Sequence, residues 1–514
     1  MITFFVCIAI LVGGYFTYGR IVDKILAPND ARLTPAKRLA DNVDYVELPW
    51  WKVLLTQFLN IAGLGPIFGS ILGALFGPVA FLWITFGCLF VGAVADFLSG
   101  FISLRHDGLS ITELVGLYLG SKAQKFMLVF TFILSVLVGV TFTMAPARWL
   151  NLQLELPYTI TESAGVVPWV WVLIIIAYYI IATIFPIETF IAKIFPVLSI
   201  AMLASCVILL VALFFNLGEN GLGLSMMEMR WDFGLHPNNI SFFPFIFTTI
   251  ACGAVSGFHA AKSPMMARCL GKETEAKRVF FGAMIIEGVV ALIWCALTIA
   301  FFGEGILQTH FNAATGVYAN QVTLLGGQLG VVDTMANTFL PGWLAAVLVF
   351  TAVIIFPITT ADTGFRSVRL MFADAFEWSQ TTIKSRILVA IPVFLIAYAL
   401  TWVNFQTIWQ YFAWSNLSIA AIVLWMSSRY LIINNKTHWF STIPAVITSV
   451  ASVAYIMQAP EGFQFIWGGI NNYGLISNVI GIAFGLGLLM IFLITKKNAV
   501  VKQGHLSFEK LENE

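Results

Sequence analysis

The sequence predicts an all-α polytopic membrane protein with a leucine-transporter-type 5+5 inverted repeat, and three observations lead there. Of its 514 residues 59% are hydrophobic and only 10% charged, where soluble proteins carry about 25% charged residues. The apolar residues fall in continuous runs, long enough for spans of about 20 residues each. Two of those runs are broken by glycine at matching places. A mean hydropathy of +0.90 leaves too few ions to cover a soluble surface. A cytosolic enzyme, a disordered chain and a secreted domain are therefore excluded. So is a transmembrane barrel, whose strands alternate in hydropathy. With 27 Lys and Arg against 26 Asp and Glu, no polybasic nucleic-acid surface is present.

The first run, Ile2 to Phe16, has no basic residue before it, and Arg20 and Lys24 follow. A cleavable signal has the reverse order, so a retained helix with its N-terminus outside is expected. Twelve more spans follow at about 51–76, 78–104, 125–147, 167–186, 190–216, 241–262, 279–302, 342–365, 386–403, 405–428, 438–458 and 470–495. Threading thirteen spans places 19–52, 105–125, 262–278, 366–386, 429–436 and 496–514 in the cytoplasm. Of the 27 Lys and Arg, only Arg148 and Arg230 then fall on the other side, as the positive-inside rule requires. The organisation expected is an N-terminal helix and connector (1–50), a first five-helix unit (51–216), a second (241–433), two C-terminal helices (434–495) and a cytoplasmic tail (496–514). The setting expected is a bacterial inner membrane. The six cysteines form no CxxC or Cys/His pair at metal spacing and read as small buried hydrophobes.

The interrupted runs are spans 2 and 7. The first reads Asn60-Ile-Ala-Gly-Leu-Gly-Pro66-Ile-Phe-Gly-Ser70, the second Ala251-Cys-Gly-Ala-Val-Ser-Gly-Phe-His259. Broken backbone is tolerated at membrane depth only where it faces protein, substrate or ion. Span 2 begins inside and span 7 outside, so spans 2–6 and 7–11 form two units of opposite topology, each opening on a break. Paired breaks point to a midplane binding site. The plainer alternative is close helix packing through small residues. Substrate contacts are expected from Gly63, Gly65, Pro66, Gly253, Ser256, Gly257, Phe258 and His259.

At these residues the sequence resembles the carbon starvation protein A (CstA) family. Pro35-Ala-Lys-Arg-Leu-Ala-Asp-Asn-Val-Asp-Tyr45, Ile61-Ala-Gly-Leu-Gly-Pro66, Gly92-Ala-Val-Ala-Asp-Phe97, Arg105-His-Asp-Gly108 and Ala251 to His259 carry the resemblance. It implies a secondary transporter with a leucine-transporter-type repeat, taking up peptides or pyruvate when nutrients run short. One departure stands out: Thr56 and Gln57 occupy the place of a histidine pair before the first break. Roles assigned to those histidines do not carry over.

Polar groups inside a membrane need a partner or a task. Thr249, Cys252, Ser256 and His259 fall on one face if span 7 stays helical, and His259 is placed to take a proton. The alternative is a neutral histidine satisfied by a carbonyl or hydroxyl. Glu287 lies deep in span 8 and Asp96 nearer the boundary of span 3. Glu287 is the better candidate carrier and Asp96 the more structural of the two. In span 9, Thr359, Asp362, Thr363 and Arg366 share a face. The resemblance implies that Thr359, Thr360 or Thr363 hold a sodium ion with backbone near Ala62 and Gly63, which suits hard oxygen ligands. Alternatively Asp362 pairs with Arg366, and the threonines bond back to their own helix. Thr56, Gln57 and Asn60 line up below the first break, and Phe258 is the aromatic expected to gate it.

The function expected is uptake of a small carboxylate-bearing nutrient, coupled to protons or sodium. Half-helix N-termini favour a carboxylate, which peptides and pyruvate share. No cofactor is expected beyond the transported ion, and the expected partners are the bilayer and the substrate. A channel or nutrient sensor is the rival class. An intramembrane enzyme is the least favoured, since HExxH, GxSxG and GxxxxGK[ST] are all missing.

Overall fold

The computed structural model describes residues 2–41, 45–154, 160–162, 165–167, 169–184, 187–217, 227–312, 317–375, 378, 383–467 and 473–501. Among them, nine helices are long and apolar enough to cross a membrane. A backbone in hydrocarbon finds no water, so each crossing segment closes its own hydrogen bonds as helix. Every predicted span contains helix, interrupted at residues 63–64 and 255–256 of the two broken spans.

α1 (Ile2–Phe16) and α2 (Tyr18–Leu26) run on as one rod, ten residues beyond the predicted end. The first of them buries Phe4, Cys7, Leu11 and Gly14, one stripe at helical spacing. A short α3 (Pro35–Arg38) lies in the connector. α4 (Trp50–Ala62) and α5 (Gly65–Gly73) are the halves of the first broken span. α6 (Ala80–Gly87) and α7 (Ala93–Arg105) form the next, through a π-helical turn at Cys88–Gly92. α8 (Ile111–Leu119) starts at a capping box made by Ser110 and Glu113. α9 (Ser121–Leu154) is followed by the hairpin of β1 (Ile160–Glu162) and β2 (Gly165–Val167), then α10 (Trp169–Ile184) and α11 (Ile187–Asn216).

The second half opens on three short pieces, α12 (Phe242–Thr249), α13 (Ala251–Ala254) and α14 (Gly257–Ala267). α15 (Gly282–Phe302) is entered through another π-helical turn, Lys277–Phe281. Beyond it, β3 (Thr309–Asn312) pairs antiparallel with β4 (Val317–Asn320), before α16 (Gln321–Leu324) and α17 (Gln328–Phe339). The apolar pattern does not predict these elements, because they are too short and polar to register as spans. α18 (Gly342–Phe350), α19 (Phe356–Ala375), α20 (Ile383–Leu400), α21 (Phe405–Ile433), α22 (Trp439–Gln458) and α23 (Tyr473–Val501) complete the bundle. Burial separates centre from edge. In Gly65–Arg105 and Glu273–Leu307, 78% of the apolar window is inside the protein, against 17% in Gly474–Thr495. All six cysteines are buried and free.

Two helix ends correct the sequence reading. α14 continues to Ala267 and α19 to Ala375, past the expected boundaries at 262 and 365. Lys262, Arg366 and Arg369 therefore lie buried in helices and not in aqueous loops. Counting charges near span ends assumes that the helix stops where hydropathy falls, and these two do not. Most of the expected tail lies outside the described residues.

The polar motifs not used at the breaks lock one end of the bundle. Arg105 pairs with Glu273 at 3.1 Å and donates to the Tyr430 hydroxyl and the Ala27 carbonyl. Arg38 pairs with Asp107, the Tyr45 hydroxyl donates to the Asp107 carbonyl, and Arg268 Nε donates to the Gly108 carbonyl. The Pro35–Tyr45 and Arg105–Gly108 motifs thus tie the connector to α7 and to the segment after α14.

Candidate functional site

Glycine fixes the shape of the first break. α4 ends at Gly63 with φ 36° and ψ −136°, a conformation that side chains with a Cβ rarely adopt. At the second break Val255 and Ser256 are extended (φ −154° and −117°), and helix resumes at Gly257. The breaks cross each other closely. A Cβ on Gly65 would lie 2.5 Å from Cys252 Cβ, and one on Gly253 would lie 3.5 Å from Pro66 Cα. Two backbones meet there that larger residues would hold apart.

Asn416, buried in the middle of α21, holds the second break. Its Oδ1 accepts from Ser256 Oγ at 3.1 Å and from the Phe258 N–H at 2.9 Å, while its Nδ2 donates to Cys252 Sγ at 3.2 Å. The N-terminus of α14, the positive end of a half-helix, is thus capped by the protein itself. Among the described residues no side chain caps the N-terminus of α5. Its leading N–H groups therefore make it the better of the two for a ligand carboxylate. Asn60, one turn below and fully buried, has neither amide atom hydrogen-bonded among the described residues.

Behind the second break lies a buried group of titratable side chains. His259 Nδ1 lies 2.8 Å from Asp96 Oδ2, and its Nε2 lies 3.1 Å from Glu287 Oε2, with all three side chains fully buried. The two contacts differ. The first is an aligned hydrogen bond; the second is close but off the bonding direction, leaving both Glu287 oxygens without a hydrogen bond among the described residues. Asp96 therefore orients the ring, with Nδ1 as donor (a tautomer assigned from the network). Glu287 faces the other nitrogen across a gap that a proton can close. With two carboxylates and one imidazolium the cluster carries one net negative charge; one further proton makes it neutral.

The expected sodium site is built differently. Thr360 Oγ1 donates across to the Leu59 carbonyl at 3.2 Å. Thr359 and Thr363 donate to Phe356 and Thr360 carbonyls of their own helix. The cross-chain oxygen near the break comes from Leu59, one turn before Ala62 and Gly63. Asp362 and Arg366 stand 3.9 Å apart.

One sequence expectation needs correction. The extended residues Val255 and Ser256 end the helical face proposed for Thr249, Cys252, Ser256 and His259. Cys252 and Ser256 turn to Asn416, His259 to the carboxylates, and Thr249 to a cavity beyond the break. The structure unites Asp96 and Glu287, expected to act apart, on one ring. It also adds residues that sequence reasoning passed over. Lys262 is fully buried, 3.0 Å from Ser367 Oγ and 4.9 Å above the Phe258 ring. Ser263, also passed over, accepts at 3.2 Å from Nε2 of Gln57, the residue expected below the first break. Asn416 is visible in the sequence as an amide in the middle of an apolar span, which is the signal that could have found it.

A cavity of about 410 Å³ opens at the end of α5 away from the first break, between Leu72, the 236–240 segment, Thr249, α16–α17 and the start of α21. His236, Asn238, Asn320, Gln328, Gln406 and Gln410 give it a polar wall, and no Asp, Glu, Lys or Arg is among the described residues lining it.

Comparison with known proteins fits this architecture. The family model of carbon starvation protein CstA matches residues 1–153 and 158–327. An uncharacterized membrane protein of Haemophilus influenzae is 38% identical over 340 residues, covering 59% of this chain and 91% of that protein. The peptide transporter CstA of Campylobacter jejuni is 27% identical, covering 89% of this chain and 80% of its own length. Among solved structures, the manganese transporter of Eremococcus coleocola matches with a TM-score of 0.52 at 13% identity, over 90% of this chain and 99% of its own. At that identity the likeness is one of fold.

Proposed function

The chain belongs to the carbon starvation protein CstA family, and we propose that this membrane transporter takes up a small carboxylate-bearing nutrient by alternating access, driven by protons. The observation that carries the reading is the buried Asp96–His259–Glu287 cluster behind the second break. Its groups come from α7, α14 and α15. α7 and α15 belong to spans 3 and 8, corresponding positions in the two expected units. A proton added there changes the charge between both units and the broken helix at once. An unneutralised charge at that depth costs several kcal/mol, so protonation and helix packing are linked. One pH unit is worth about 1.4 kcal/mol, which supports about tenfold accumulation with one proton per substrate.

The substrate carboxylate sits, in this reading, at the N-terminus of α5 beside Asn60 and Gly65. The uncharged, amide-lined cavity favours a peptide over pyruvate, because it offers partners for backbone amides and more room than a three-carbon acid needs. The end locked by Arg105 and Arg268 faces the cytoplasm of a bacterial inner membrane. Uptake serves nutrient-starved growth, and no chemistry is done on the substrate, so ATPase and peptidase assays should be blank.

Labelled dipeptide and labelled pyruvate, offered to proteoliposomes under imposed proton or sodium gradients, test the proposal. Proton-driven dipeptide accumulation is expected. Flux that equilibrates without accumulating would mean a channel instead, and accumulation driven by sodium alone would move the coupling site to Thr360.

A further inference from the structure

On the side turned away from the breaks, a cavity of about 620 Å³ lies between the start of α9, α21, α22 and α23. Phe126, Phe130, Trp425, Phe484 and Leu488 give it apolar walls, and Phe126 and Phe484 stand 59% and 48% exposed. Its polar wall atoms are already engaged. Trp425 Nε1 donates to Ser449 Oγ, Trp414 Nε1 donates to the Ser452 carbonyl, and Ser418 shares a hydrogen bond with Ser452. What the groove presents is hydrocarbon, suited to acyl chains.

One end is different. Arg429 lines the groove there, and its guanidinium donates to the Thr495 carbonyl at 2.9 Å. No carboxylate lies within 4.0 Å of it among the described residues. Lys122 and Lys125, exposed in the first turn of α9, flank the lining residues Ala123 and Phe126. One cation, Arg429, thus stands at the mouth of an apolar groove, with Lys122 and Lys125 exposed on the helix that supplies Ala123 and Phe126. The groove's outer wall, α23, has the least buried window of the nine candidate spans among the described residues. Cations placed so attract anionic headgroups.

We propose that this groove holds an anionic phospholipid, its phosphate against Arg429 at the level of Lys122 and Lys125, and its acyl chains between α21 and α23. Charge complementarity selects the occupant: a zwitterionic lipid fills the apolar part equally well but brings its own cation to a mouth that already holds Arg429. Seated there, the lipid packs α23 onto the bundle.

Full-length protein stripped of lipid in detergent is titrated with phosphatidylglycerol or phosphatidylcholine, and bound lipid is counted by native mass spectrometry. Phosphatidylglycerol should bind in preference and raise the melting temperature more. Arg429→Gln should cut the preference about fivefold, the worth of one basic residue near an anionic surface, and Arg429→Lys should keep most of it. Ala421→Trp, which fills the groove, should remove both lipids while the protein stays monodisperse. Glycerol phosphate without acyl chains should not compete. Equal binding of the two lipids, an unchanged preference in Arg429→Gln, unchanged lipid counts in Ala421→Trp, or a dimer that closes the groove when lipid is removed would each overturn the proposal.

Discussion

The chain has two buried polar sites beside its helix breaks, and they are built on opposite principles. Behind the second break, two carboxylates flank one imidazole, and Glu287 is left without an aligned hydrogen bond. Beside the first break, a hydroxyl and a carbonyl face each other as donor and acceptor, Thr360 to Leu59. The first arrangement has one aligned hydrogen bond for three titratable groups among the described residues; the second is satisfied as it stands. A sodium ion at Thr360 would need both oxygens turned towards it, at the cost of the hydrogen bond between them. Buried polar groups are stable when paired and reactive when they are not. The contrast is the reason the histidine cluster, and not Thr360, is proposed as the coupling site.

The largest expected effect comes from removing the ring. His259→Gln should reduce proton-driven accumulation by about 100-fold, the upper range for general acid–base groups, and leave two buried carboxylates facing each other. Thr360→Val should change uptake by less than about threefold, with a stability loss of about 1–3 kcal/mol from the stranded Leu59 carbonyl. Equal losses in the two variants would erase the distinction drawn between the sites.

Next in size are the carboxylates, which sharpen the division within the cluster. Glu287→Gln removes the group across the proton gap. Accumulation should fall about tenfold or more while substrate exchange at equal concentrations survives. Asp96→Asn keeps a hydrogen-bond acceptor on Nδ1, so its loss should be smaller, about threefold to tenfold, and should act on both accumulation and exchange. The reverse order, with Asp96→Asn the more severe for accumulation alone, would make Asp96 the carrier.

A smaller effect is expected at Asn416, which acts on neither ion. Asn416→Ala uncaps α14 and strands Ser256, so thermal stability should drop by about 1–2 kcal/mol. The proton-to-substrate ratio should not change. A changed ratio would connect the cap to coupling.

The comparison also explains what the sequence could reveal. The breaks at Gly63 and Gly253 are legible because glycine and proline in an apolar run have few other uses. The helices are legible because hydrocarbon leaves the backbone no alternative. The cluster is not, because Asp96 and His259 lie 163 residues apart and meet only once three helices have packed. Reading span 7 as one continuous helix gave His259 the wrong neighbours, since two extended residues rotate it away from Cys252 and Ser256. The buried cations Lys262, Arg366 and Arg369 were hidden by a rule that assigns charges to loops by their distance from a hydropathy boundary.

The smallest expected effect separates the cluster from the other histidine near the transport path. His236 lies in the wall of the 410 Å³ cavity, its ring 4.7 Å from that of Phe76 and its Nδ1 accepting the Asn238 N–H. Burial pushes its imidazole down to about 4, so it stays neutral from pH 5.5 to 8 and cannot read pH in that range. His236→Gln should leave the pH profile of uptake where it is, whereas Glu287→Gln should flatten it. Stability carries the opposite signature. The unfolded chain takes a proton on His236 near pH 6.5 and the folded protein only near 4, so folding loses on the order of 1 kcal/mol per pH unit between those values. That acid-side slope should be shallower in His236→Gln, while melting temperatures above pH 7 stay the same. If His236→Gln moved the uptake profile, the proton would be read in the cavity and not behind the break.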